Sequence, residues 1–132
     1  MNAELIVASL LNATAITNLV GARRALGQLP QNTAYPALVY QLIDNIPRPN
    51  IAYQNGPQRA VARIQINPLA GSIAEVKSIH EAIRSVIDFK HHQTVAGKLV
   101  VSCRLDMMQS MEKDIDSNIW TQPADYILTY YE

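Results

Sequence analysis

The sequence has one cysteine, Cys103, so no intramolecular disulfide can form and the fold does not depend on an oxidising compartment. It also has no charge excess. Lysine plus arginine is 11 and aspartate plus glutamate is 11, so no global field steers the chain onto nucleic acid or an anionic membrane. A neutral chain repels its own copies weakly, which suits self-assembly. Phenylalanine and tryptophan occur once each, so any base-stacking platform would rest on the tyrosines. The five glycines form no phosphate-cradling loop and no G-x-S-x-G elbow. No apolar run approaches the roughly 20 residues of a membrane-spanning helix. The N-terminal run around Leu5, Ile6 and Val7 is short, contains Glu4 and lacks a basic flank. It reads as a helix, not a signal peptide, and a soluble protein made in the cytoplasm is expected.

What is present suits one domain over residues 1–132: hydrophobic content is 48% and charged content 17%, too apolar for a disordered tail. The organising stretch is 71–90. Ser72 followed by Glu75 is a capping-box pattern, and Val76, Ile79, Ile83, Val86 and Ile87 recur at helical steps on one face. Lys77, Glu81, Arg84 and Asp88 fall mostly on the other face. Two short helices are expected before it, at 2–11 and from Thr14 to the stop at Gly21. Leu26 and Leu29 could make a short strand. Residues 37–44 read as a strand apolar on both faces. Residues 58–67 alternate, with Ala62, Ile64 and Ile66 inward and Arg59, Arg63 and Gln65 outward. Pro68 to Gly71 reads as a turn. In the strand after Gly97, alternation places Leu99, Val101, Cys103 and Leu105 inward. A final strand covers 125–131. The fold class is α+β: a mainly antiparallel sheet of about four strands, with the central helix and the N-terminal helix pair on one face.

Residues 45–57 carry Pro47, Pro49 and Pro57, and read as a long projecting loop. Arg48, Ile51 and Tyr53 give it the mixture of charge, aliphatic and aromatic surface found at interfaces. Arg59 and Arg63 share the neighbouring strand face, which reads either as a solvated or ion-paired sheet face or as a contact for phosphate or an acidic partner. Met107, Met108, Met111 and Trp120 lie in the ambiguous stretch 107–122, as an adaptable interface or as local core. Catalytic and metal chemistry finds no support. His80-Glu81 lacks the second histidine of H-E-x-x-H, because Arg84 stands there. His80 reads as a polar-face residue. His91 and His92 diverge at a helix end, and Cys103 reads as a buried thiol. No catalytic, cofactor-binding or metal residues are assigned.

Taken in order, these segments resemble the phage tail completion, or tail terminator-like, family. The resemblance is carried by 16–23 (Ile-Thr-Asn-Leu-Val-Gly-Ala-Arg), by Tyr35-Pro36-Ala37-Leu38-Val39-Tyr40-Gln41, by 59–66 leading to the helix near Ser72, and by the aromatic last strand. It implies a non-enzymatic subunit without cofactors. Such a subunit assembles with itself into a ring, commonly a hexamer, between the tail-tube protein and the head connector. It implies assembly in the host cytoplasm, residence at the head-proximal end of the tail, and neither membrane nor direct nucleic-acid recognition. The rival classes are a stand-alone nucleic-acid-binding module and a small-molecule enzyme.

Overall fold

The computed structural model describes residues 2–49, 51–53 and 56–132, with only the backbone of Asn2, Tyr53 and Lys90. Helices α1 (Asn2–Leu10) and α2 (Thr14–Val20) are followed by strands β1 (Arg24–Leu26) and β2 (Ala37–Arg48). A 3-10 turn (Ile51–Tyr53) leads to β3 (Arg59–Ala70), and then comes α3 (Ile73–Ile87). Strands β4 (Lys90–Val95), β5 (Lys98–Met108), β6 (Glu112–Asp114), β7 (Ile119–Thr121) and β8 (Ala124–Tyr131) complete the chain. Among the described residues the sheet has eight strands, not about four. Its main path is β1-β2-β3-β8-β5-β4, and β6 and β7 form a hairpin attached to the end of β3. Among the described residues all pairings are antiparallel except β1 with β2. The larger strand number arises where short polar or histidine-bearing segments join edges, and such segments carry little apolar periodicity.

The α3 helix follows its sequence pattern. Ser72 is the N-cap, and its hydroxyl accepts from the Glu75 amide at 3.2 Å. Val76, Ile79, Ile83 and Ile87 are buried, Val86 packs partly, and the helix lies against β3, β5 and β7. Beneath it, β3 alternates cleanly from Ala60 to Ala70, with Ala62, Ile64 and Ile66 inward. Helices α1 and α2, with Leu11 in the turn between them, add Ile6, Val7, Leu11, Ile16 and Val20 to the same core. In β8, Tyr126, Leu128 and Tyr130 share one face and point inward.

The structure corrects several of these expectations. Residues 45–48 are not loop: β2 runs through Pro47 to Arg48, paired with Ala60 and Arg59 of β3. Among the described residues, β2 beyond Tyr40 pairs only with β3, so Pro47 sits on an open strand edge, where a missing amide donor is tolerated. That edge also leaves Ile43 and Ile46 exposed, so β2 is not covered on both faces. Residues 68–70 continue β3 instead of turning. His91 and His92 do not close a helix but lie in β4, which turns into β5 through Ala96 and Gly97. Both turn residues have positive φ (52° and 77°), the requirement of the tight hairpin turn that matches strand twist. A register shift between Val100 and Ser102 reverses the alternation there: Val100 is buried and Leu99 is exposed. His80 is buried, not on the polar face.

Candidate assembly surface

The helix-free face of the sheet carries a polar network across four strands. Gln41 Nε2 donates to Gln65 Oε1 (3.0 Å), and Gln65 Nε2 to Asp125 Oδ1 (3.3 Å). Arg63 Nη1 lies 3.2 Å from Asp125 and 2.9 Å from Asp106, and Arg104 lies 3.3 Å from Asp106. The order β2-β3-β8-β5 makes this row possible, because outward residues of neighbouring strands stand side by side. The hydrogen bond from Arg63 holds the Asp106 carboxyl below its usual range, aided by Arg104. Arg63 is therefore an ion-paired sheet residue. Arg59, on the same strand face, has no ion-pair partner among the described residues.

At one end of the sheet the paired termini of β2 and β3 extend as a two-stranded ribbon. Its tip carries Ile51, 82% exposed, beside the backbone of Tyr53. Between this ribbon, the β4–β5 turn and the end of β8 runs an open groove of about 1280 Å³. Pro47, Ile51, Leu99 and Tyr131 give it apolar walls, and Arg48, Arg59 and Lys98 place three cations on it. Glu132 also lines it and accepts from Asn45 Nδ2 at 3.4 Å. Sequence reasoning missed Lys98 and Leu99, because simple alternation turns Leu99 inward. A second hollow, about 620 Å³, lies under the 27–35 connection against Val39, Gln65 and Leu69.

The four aromatic and methionine candidates divide. Met111 and Trp120 are partly buried against the core, with Lys113 Nζ 5.6 Å from the Trp120 ring. Met107 and Met108 are exposed at the end of β5. The β6–β7 hairpin brings Trp120 opposite Ala70 of β3 and carries its own turn beyond that strand end.

The shifted titratable groups outside the Arg63–Asp106 pair are embedded in packing. His80 Nε2 lies 2.7 Å from the Gln122 carbonyl, and Nδ1 is buried without a hydrogen-bond partner among the described residues. The geometry makes Nε2 the protonated nitrogen, donating to that carbonyl. Burial pulls the imidazole below its ordinary range. Burial pushes the Cys103 thiol up to about 12, with Asp88 adding to the rise, so it is no thiolate nucleophile at neutral pH. Burial likewise raises Tyr126 and Tyr130. Among the described residues, no three His, Cys, Asp or Glu side chains are gathered so as to hold a metal ion.

The same fold occurs in a chain of a solved structure described as the virion of a native gene transfer agent particle. The TM-score is 0.70, with 98% of this chain and 93% of that chain covered at 11% identity, a likeness of fold. No curated protein matches at the level of sequence. Residues 4–114, from the first helix to the end of β6, match the family model described as tail completion protein gp17. With most of its length inside that match, the chain belongs to the tail completion protein gp17 family, structural proteins of the phage tail.

Proposed function

We propose that the chain is a non-enzymatic subunit that completes the phage tail. It forms an oligomeric ring, a hexamer by the resemblance, that closes the tail-tube protein and joins it to the head connector. The family match over residues 4–114 carries this reading. The surface supports it. The β2–β3 ribbon carries Arg48, Ile51 and Tyr53, and Arg59 continues its cationic side onto the sheet. Met107 and Met108 offer a second exposed apolar spot. Assembly begins in the host cytoplasm and ends at the head-proximal tip of the tail. Non-enzymatic function accords with titratable groups that are engaged in packing and ion pairs.

A complementation experiment tests the ribbon. In Arg48→Ala with Ile51→Ala, both altered side chains are exposed, so the variant should melt like the parent. Heads and tails should form separately and fail to join. Normal particle yield from a folded double variant would remove the ribbon from the interface and move attention to Met107 and Met108.

A further inference from the structure

The β6–β7 turn has a composition opposite to that of the groove. It reads Asp114-Ile115-Asp116-Ser117-Asn118, preceded by Glu112 and Lys113. Ile115 is 90% exposed, the most exposed large apolar side chain among the described residues. The turn is held in shape from within. The Asp114 carboxylate accepts from the Asp116 amide (3.2 Å) and the Ser117 hydroxyl (2.8 Å), and the Asn118 amide donates to the Asp114 carbonyl (2.8 Å). Glu112, Asp114 and Asp116 against Lys113 leave this hairpin with a net charge of −2. In the groove, Arg48, Arg59 and Lys98 against Glu132 leave +2. An apolar residue between carboxylates thus has its counterpart in apolar walls between cations.

The two features cannot meet within one chain. The groove lies at the Arg59 end of β3, and the hairpin is paired at Leu69 and Ala70, the other end. At about 3.3 Å per residue, the length of β3 separates them by about 36 Å. A knob and a complementary groove at opposite ends of one subunit define a head-to-tail contact, which closes into a ring when the rotation between copies is suitable. We propose that the β6–β7 turn of one subunit, led by Ile115, seats in the groove between the β2–β3 ribbon and the β4–β5 turn of the next copy of this chain. The inference rests on the ring reading above and names its subunit contact.

Paired cysteines test it. Ile115→Cys with Leu99→Cys places one thiol on the knob and one on the groove wall. Cys103 does not compete, being 2% exposed with its thiol pushed up to about 12. Oxidation of the concentrated chain, and of particles carrying it, should give a covalent ladder that continues past the dimer and ends at the ring size. Each single-cysteine variant should give no ladder, because neither feature faces its own kind. Cross-linking should fall as added salt shortens the screening length from about 10 Å at 0.1 M to about 3 Å at 1 M. Asp116→Lys in the same background should suppress the ladder, and Lys98→Glu added to it should restore it. A lysine-reactive cross-linker applied in parallel separates the two levels of the argument. Higher oligomers without a disulfide between the thiols introduced at positions 99 and 115 would keep the ring and overturn this contact. No higher oligomer, either in solution or on particles, would overturn both.

Discussion

Asp88 ends α3 and is expected to be more important to stability than its place on the charged side of the helix suggests. Its side chain is only 6% exposed. Oδ1 accepts from the Leu105 amide at 2.9 Å, and Oδ2 from Arg84 Nε and Nη2 at 3.1 and 3.0 Å. The Leu105 amide sits where the β5–β8 register shifts, between Leu105 and Met107, so the carboxylate supplies an acceptor at an irregular point of the ladder. Asp88→Ala removes that acceptor and strands a part-buried amide. A hydrogen bond to a charged group contributes about 1.5–3 kcal/mol. The Arg84 pair adds about 0.3–0.5 kcal/mol, because Arg84 is 49% exposed and spaced at i,i+4. The expected loss is therefore about 2–3.5 kcal/mol. For a chain of this size that lowers the melting temperature by about 7–13 °C. Asp88→Asn retains an oxygen for Leu105 and should lose well under half as much. Arg84→Ala should lose only the ion-pair share. Thermal unfolding followed by circular dichroism, with urea titration as a second measure, compares the three variants. Equal melting temperatures for Asp88→Ala and Arg84→Ala would show that the bond to the Leu105 amide contributes nothing, and the argument would fail.

Two further expectations concern the core. Ile83→Asp buries an unpaired charge at a fully buried position under α3, at a cost of several kcal/mol, comparable with the stability of a whole domain. Ile83→Ala should cost about 2–5 kcal/mol and still fold; a parental melting curve for Ile83→Asp would contradict the packing. His80 predicts a pH dependence. Its folded pKa lies below the unfolded value, so the unfolded chain binds the extra proton first, and stability present above about pH 6.5 falls as pH is lowered. His80→Gln, which can still donate to the Gln122 carbonyl, should flatten the stability profile between about pH 7 and 5; parallel profiles for parent and variant would refute the assignment.

The helix α3 and strands β3 and β8 were legible because one periodicity dominates each. Ser72 with Glu75, the Val76–Ile79–Ile83 spacing and the Ala62–Ile64–Ile66 alternation all report the same buried layer. Legibility failed where a single residue breaks the period. The irregularity after Val100 exchanges Leu99 for Val100 on the inner face, and nothing in the local composition marks it. Pro47 was a misleading sign. Proline excludes a strand only where its missing amide must be paired, and β2 pairs on one side alone at that point. His80 is hard to place from local sequence, because Glu81 and Arg84 give its neighbourhood a charged look. A histidine can leave that face when a carbonyl from another element, here Gln122, satisfies its buried N–H.

The groove proposed for assembly was half legible for a related reason. Arg48, Ile51 and Arg59 could be singled out because residue type alone is unusual around a proline-rich turn. Their joining with Lys98 and Leu99 into one groove depends on β8 lying between β3 and β5, a long-range pairing that no local window contains. Arg63 shows the converse. Strand alternation correctly set it beside Arg59 on the outward face, yet the same pairing supplies Asp125 from β8 and Asp106 from β5, and these two carboxylates turn it into a sheet cross-brace. Two arginines on one strand face thus acquire different roles. Arg63 stands over the middle of the sheet, where adjacent strands bring carboxylates; Arg59 stands at its end, where the ribbon leaves and no acidic neighbour pairs with it among the described residues. Its charge is therefore left for the groove, which is the property that the proposed subunit contact uses.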